Sequence, residues 1–360
     1  MKRILIFRPG QLGDTLVTLP AVHAIRNHFA NAELTYLYDY HYGKGYVLAN
    51  EILKGSGLID HFIPYFRSYS FFGKVRATFE LLSLLFKLRR FSYDCVILLE
   101  PNKKTFWQQK RDWLFFRFAG VRNQKSCSSF HRFVDSQVSH LVESQQDFYL
   151  RAIGMLGIKV PKLGHGCMDL GLKDAEDEEF YEWLLMKQLK EFPQHSIAVC
   201  VGAKQSHNLW PIACYRSVLC RLIKTHQVMP VFFGGSGDKV IAEALIDDLG
   251  VGLNACGELS VRGSARVLQE CLFYLGNDTG SMHLSVAAGL KCVGIFSFRD
   301  LPGEWYPYGD GHKVHCGIVN YLDGSAYRIQ DDLLKALTSI RPDDVYKSCV
   351  ELLEITSSTG

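Results

Sequence analysis

The chain has 360 residues, 48% hydrophobic and 21% charged, too long for one ordinary core and rich enough in apolar residues to bury two. Its 40 basic and 37 acidic side chains leave a net charge of +3, so no global electrostatic case for a nucleic-acid partner arises. Eleven cysteines, an odd count with no CxxC pair, read as buried reduced thiols, and no clustered ligands suggest zinc.

Residues 3–8 form an apolar strand pattern that opens the chain, without the hydrophobic region or cleavage site of a secretory leader. A glycine-containing turn follows, from Pro9 through Gly10 and Gly13 to Asp14. Apolar residues at Leu16, Leu19, Val22 and Ile25 then predict one helix over 15–29. A second strand at 33–38 completes a βαβ unit, which implies a parallel sheet with a right-handed crossover. Residues 94–99 are apolar through their centre, as buried parallel strands are. The longest apolar stretch, 79–86, is too short and too interrupted to span a bilayer, and the protein is expected to stay in the cytoplasm.

A domain boundary falls within 173–195, giving an N-terminal domain over 1–180, a C-terminal domain over 181–340 and a last helix over 341–360. Beyond it, strands at 196–201, 229–233, 252–255, 272–275 and 291–295 alternate with helices at 212–225, 239–249, 261–270 and 282–288. That is the doubly wound α/β signature. Two such Rossmann-like domains, with parallel sheets facing a central cleft, bind ligands at the loops that follow their strands.

Four loops of this kind carry candidate chemistry. After the first strand, Asp14 reads either as a helix cap or as a general base that takes a proton from a sugar hydroxyl. Gly13 and Thr15 flank it on the acceptor side. Residues 276–283, Gly-Asn-Asp-Thr-Gly-Ser-Met-His, follow a strand and open a helix. Free N–H groups at such a start suit a diphosphate, although a capped helix with a helical histidine fits the pattern equally. The turn holding Gly235 and Asp238 is a further glycine-rich loop. Lys204 lies after the first strand of the second half. No DxD occurs, which favours neutralising a diphosphate by helix termini and basic side chains rather than by a metal. GxGxxG is also missing after strand one, which disfavours an NAD-linked oxidoreductase. Basic and aromatic residues mix at 71–91, with Lys74, Arg76, Lys87, Arg89 and Arg90, and again at 106–117, with Lys110 and Arg111. Such a patch suits either a helix packed on the sheet or a bulky anionic acceptor and peripheral membrane association.

The opening through Gly13-Asp14 and Leu19-Pro20-Ala21, together with Asp278-Thr279-Gly280 and His283, resembles the ADP-heptose:lipopolysaccharide heptosyltransferases, glycosyltransferase family 9. The likeness continues through Ala287-Ala288-Gly289 and Trp305-Tyr306-Pro307 and spans nearly the whole chain. It implies a GT-B fold and an inverting, metal-independent transfer without a cofactor, from ADP-heptose to a glycolipid or glycan. It makes Asp14 the base, and has Asp278, Thr279, Gly280 and His283 hold the ADP-sugar. Two positions depart from the family's pattern. Asn208 stands where a lysine is usual, with Lys204 as a substitute, and Asp238 where a glutamate is usual. Both departures leave open a different nucleotide-sugar donor, or a protein that binds such a donor without turning it over.

Overall fold

A computed structural model describes residues 1–41, 47–66, 71–100, 104–133, 141–297, 299–317 and 335–357, without the side chains of 71–77, 356 and 357. The chain forms two compact units, Met1–Val134 with Gln145–Gly171, and Asp135–Ser144 with Leu172–Gly360.

The first unit is built on β1 (Arg3–Phe7), β2 (Glu33–Tyr40), β3 (His61–Phe66), β4 (Cys95–Leu98) and β5 (Asn123–Ser126). All neighbours pair in parallel, in the order β3-β2-β1-β4-β5. Ile4, Leu5 and Ile6 are fully buried at its centre, where continuous apolar runs are expected of a parallel sheet covered on both faces. The expected single helix at 15–29 is two, α1 (Leu12–Leu16) and α2 (Leu19–His28). Pro20 is the cause: it has no N–H to offer the carbonyl four residues back, and its ring clashes there. The Thr18 hydroxyl donates to the Thr15 carbonyl at 2.7 Å across the break. Further helices are α3 (Ala49–Leu53), α4 (Phe71–Phe91), α5 (Phe106–Phe118) and α6 (Gln145–Met155).

Helix α7 (Asp174–Met186) begins the regular structure of the second unit. Its strands are β6 (Ser196–Cys200), β7 (Met229–Phe232), β8 (Leu253–Asn254), β9 (Tyr274–Asn277), β10 (Cys292–Phe296) and β11 (Lys313–Cys316). They form one parallel sheet in the order β11-β10-β9-β6-β7-β8. Helices α8 (Ile212–His226), α9 (Lys239–Leu249), α10 (Val261–Leu268) and α11 (Gly280–Ala287) connect them. The closing helix, Pro342–Ser357, lays Val345, Cys349, Leu352 and Leu353 into the same core as Trp210, Tyr215 and Phe273.

The division between units lies ahead of α7 rather than at 180/181, inside that helix. Ion pairs explain why α7 goes with the second unit: Arg262 reaches Glu176 and Arg266 reaches Asp177, each at 2.5 Å. All eleven cysteines are free, and seven are buried.

Removing a core side chain from the central strand tests this account. Leu5→Ala is expected to cost about 3 kcal/mol of stability by loss of burial plus cavity, read by urea denaturation. Val240→Ala, at a position 73% exposed on α9, is expected to stay within about 0.5 kcal/mol.

Candidate active site

Each sheet has one place where the strand order reverses: β1 beside β4, and β6 beside β9. Loops leaving those strand ends diverge and open a crevice for ligand.

In the first unit the crevice is organised by Arg8, which directly follows β1 and is 3% exposed. Its Nε donates to the Asp14 carbonyl at 3.0 Å and its Nη2 to Asp14 Oδ1 at 2.9 Å. Nη1 donates to the Leu99 carbonyl at 3.2 Å and to the Tyr149 hydroxyl at 2.9 Å. Burial by itself disfavours this charge, but Tyr149, Asp14, Tyr36 and Asp39 together more than offset it, and the Arg8 pKa lies above its ordinary value. Burial also pushes the Tyr36 hydroxyl up to about 12. Asp14 is the third residue of α1, and its Oδ2 accepts the N–H of the capping residue Gln11 at 3.1 Å. The cap is therefore Gln11, and Asp14 closes the capping box. The Asp14 side chain stays 40% exposed, so it is oriented and still open to a ligand.

Gly10 makes that approach possible. Its φ is +143°, its N–H donates to the buried Asp39 at 2.7 Å, and a Cβ added there would sit 2.3 Å from Asp14 Cβ. Gly13 is half-buried in α1, whereas Thr15 is 1% exposed and lies beneath the turn, which takes its side chain out of reach of an acceptor.

A cavity of about 420 Å³ lies beside the same turn, lined by Phe7, Pro9, Leu37, Tyr65, Lys104 and Arg111 among others. Lys104 bridges the buried carboxylates of Glu100 and Asp112. Burial drives the Glu100 pKa up, and Asp112 adds to that while Lys104 opposes it. Arg111 donates to Asp112 at 2.8 Å. Lys110 is elsewhere, exposed over the Trp107 ring at 5.5 Å. Of the two basic residues expected at an acceptor, the structure brings only Arg111 to the cavity. Glu100 and Lys104 escaped the sequence reading. A charged residue directly after the apolar run 95–99 was the available signal. Lys74 and Arg76 lie outside the described side chains.

In the second unit Asn277 holds the reversal point together. Fully buried, it donates to the Val201 carbonyl at 2.9 Å and accepts from the Trp210 N–H at 3.2 Å and the Tyr215 hydroxyl at 2.8 Å. That fixes the end of β9 against the loop after β6, beside which Lys204 lies exposed. Thr279 caps α11, with its hydroxyl buried, and Gly280 is the first helical residue. His283 is 2% exposed and lies edge-on to the Trp305 ring, centroids 5.8 Å apart.

Two of the expected donor residues are tied into the loops around them. Asn208 is 4% exposed, accepts from Ser297 Oγ at 2.5 Å and donates to the Asp278 carbonyl at 3.4 Å, so its amide is occupied in tying loops together. Asp238 accepts the Gly235 N–H at 2.9 Å. A Cβ on Gly202 or Gly234 would meet the Asp238 carboxylate at 2.2 and 2.5 Å. Asp238 thus fills the gap between two loops, while Gly235 is exposed.

Asp278 is half-buried, and burial raises its pKa to about 7, with Arg299 lowering it and Asp300 raising it. Arg299, paired to Asp300 at 2.5 Å, is a cation the sequence reading missed. Among the described residues no three His, Cys, Asp or Glu side chains cluster as a metal site requires.

Two doubly wound parallel sheets, each with a ligand crevice at its reversal point, define the GT-B class of sugar transferases. The sequence model of glycosyltransferase family 9 (heptosyltransferase) matches residues 117–328, and the chain belongs to that family. The match takes in the 276–283 turn and leaves Asp14 outside it. No curated protein matches by sequence. Among solved structures, a family 9 glycosyl transferase from Veillonella parvula is 18% identical with a TM-score of 0.75, covering 98% of this chain and 97% of its own. The E. coli ADP-heptose lps heptosyltransferase II is 18% identical with a TM-score of 0.70, covering 99% and 100%. E. coli heptosyltransferase WaaC with ADP-2-deoxy-2-fluoro heptose is 17% identical with a TM-score of 0.62, covering 97% and 99%.

The raised Asp278 pKa has a thermodynamic consequence. The folded group titrates near 7 and the unfolded one near 3.8. Its stabilisation is complete below about pH 4 and is lost as pH rises through about 7. The stability difference between wild type and Asp278→Asn, measured by denaturation against pH, is expected to fall over that window and level off above it. A difference that grows with pH would contradict the assignment.

Proposed function

We propose that the chain transfers a heptose, or a related sugar, from an ADP-sugar to a lipopolysaccharide-core or other glycan acceptor with inversion. Asp14 acts as general base. The observation that carries this reading is the clamp on Asp14: a buried guanidinium and a backbone N–H orient a carboxylate that remains 40% exposed. A sugar hydroxyl is a poor nucleophile until its proton leaves, and an oriented carboxylate can take that proton. The acceptor oxygen bonds to the anomeric carbon as the bond from that carbon to the diphosphate oxygen breaks. The proton passes to Asp14, and the electron pair leaves with ADP.

Negative charge grows on the departing diphosphate. The N–H groups at the start of α11, with Lys204 and Arg299 as cations, would meet it. The step needs neither metal nor cofactor. On this reading the first unit takes the acceptor and the second the donor. Gly13 and Arg111 are acceptor contacts favoured over Thr15 and Lys110, and Gly280 and Thr279 are donor contacts favoured over His283. ADP is the favoured nucleotide because the WaaC structure was solved with an ADP-heptose analogue and this chain shares its family. A glycolipid acceptor places the protein at the inner face of the cytoplasmic membrane.

A second reading keeps the chemistry and changes the donor nucleotide. It is motivated by Asn208, whose amide is tied to Ser297 and Asp278. A thermal-shift panel of ADP-, GDP- and UDP-sugars separates the two, since a ligand binding only the native state stabilises it by about 2.7 kcal/mol at a hundredfold excess over Kd.

Asp14→Asn is expected to lower transfer roughly 100- to 10,000-fold, with ADP-sugar binding by calorimetry unchanged. Full turnover in that variant would remove Asp14 from the mechanism. Donor binding without turnover in the wild type, across a glycan panel, would leave only a nucleotide-sugar binding protein.

A further inference from the structure

Helices α4 and α5 pack side by side on the first sheet. Both are crossovers between parallel strands, so they run in the same direction. Their inner faces are ordinary core, with Leu84, Leu88 and Phe116 buried. Their outer faces are not ordinary surface. Phe79, Leu82 and Phe86 lie at i, i+3 and i+7, one stripe of α4 pointing away from the sheet. Trp107, Trp113 and Phe118 stand out from α5, and these six side chains are 49–74% exposed. Scattered single exposed apolar residues need no explanation, but a stripe along α4 with three exposed aromatic side chains on the helix beside it does.

Charge says what covers it. Lys87, Arg90, Lys110 and Arg117 rise from the same face and form no ion pair with a described residue. Among the described side chains of the two helices, the carboxylates are Glu80 and Asp112, and neither belongs to the outer surface. Glu80 is half-buried and accepts from the Tyr40 hydroxyl at 3.2 Å, and Asp112 is buried against Lys104 and Arg111. The outer face therefore carries apolar, cationic and neutral polar side chains and no described carboxylate. Tryptophan and phenylalanine among lysine and arginine, on helices lying flat, match the boundary between lipid headgroups and acyl chains. A nucleic acid would use the cations and leave the leucine and phenylalanine stripe uncovered. No described helix is long and apolar enough to cross a membrane, so the contact lies in the plane of the surface.

We propose that the outer face of α4 and α5 docks the first unit on an anionic lipid bilayer. The proposal deepens the glycolipid-acceptor reading and rests on it for its purpose. α5 begins next to the Pro9 turn, as Gln108 and Arg111 share the cavity lined by Pro9. Docking there would hold the Asp14 turn near the surface from which a lipid-borne acceptor projects.

The test is sedimentation of the full chain with vesicles of phosphatidylcholine, alone or mixed with phosphatidylglycerol. Binding to the mixed vesicles, weakened by salt, is expected. Each of Arg90→Ala and Arg117→Ala should weaken it roughly fivefold, and Phe86→Ser with Trp113→Ser should abolish it, with unfolding midpoints unchanged. Equal partition to both vesicles, or retention on heparin without vesicle binding, would overturn the proposal. Transfer to a soluble acceptor fragment separates the two readings. Unchanged turnover in Arg90→Ala and Arg117→Ala supports docking, and lost turnover there overturns it. Vesicle binding without transfer in the wild type would sink the transferase reading instead.

Discussion

A guanidinium buried to 3% exposure must find an acceptor for nearly every N–H or unfold its surroundings, and Arg8 imposes that demand on the first unit. Its partners come from three separate stretches: Asp14 on α1, Leu99 at the end of β4, and Tyr149 on α6. Once these are met, the positions of the turn after β1 and the loop after β4 are no longer independent. The exposed carboxylate of Asp14 is fixed because the buried cation behind it is fixed. Gly10 is then required, since any side chain there would occupy the space of Asp14 itself.

The second unit solves the same problem without charge. Asn277 offers two donors and an acceptor at the reversal point of its sheet and fills both roles. The contrast follows from what each loop is asked to hold. A neutral amide leaves the start of α11 with its helix-dipole potential undiminished, which favours an anion. A buried cation beside Asp14 keeps that carboxylate aimed.

How much of this was legible in the sequence divides by position in the sheet. Central strands such as Arg3–Phe7 and Cys292–Phe296 announce themselves because both faces are buried, and their runs are apolar throughout. Of the four edge strands only β8, expected at 252–255, did so. β3 carries Pro64, tolerable only where one side of the backbone is unpaired, and β5 reads Asn-Gln-Lys-Ser with no apolar residue. At the site, loop positions were legible and side-chain duties were not. Asp14, Thr279 and Gly280 stand where strand–turn–helix patterning puts them. Asn208 and Asp238 look like ligand contacts in one dimension, but the hydrogen bond from Ser297 to Asn208 and the packing of Asp238 against Gly202 appear only when those residues are brought beside them. Arg8 was visible as the end of a strand, but its burial depends on Tyr149, far along the chain.

Asp278 shows how a carboxylate can sit in a turn proposed to take a diphosphate without spoiling it. Held ionised, it would repel a diphosphate arriving at the α11 start. Burial instead raises its pKa to about 7, with only Arg299 pulling the other way, so near neutral pH a large share of molecules carry it protonated. An arriving diphosphate adds negative charge beside it and shifts that balance further toward the neutral acid, which donates a hydrogen bond where the carboxylate would oppose one. A side chain of the wrong charge for the site thus becomes compatible through desolvation alone. This is also why a reading from residue types, blind to burial, assigns Asp278 to the donor without being able to say in which protonation state it serves.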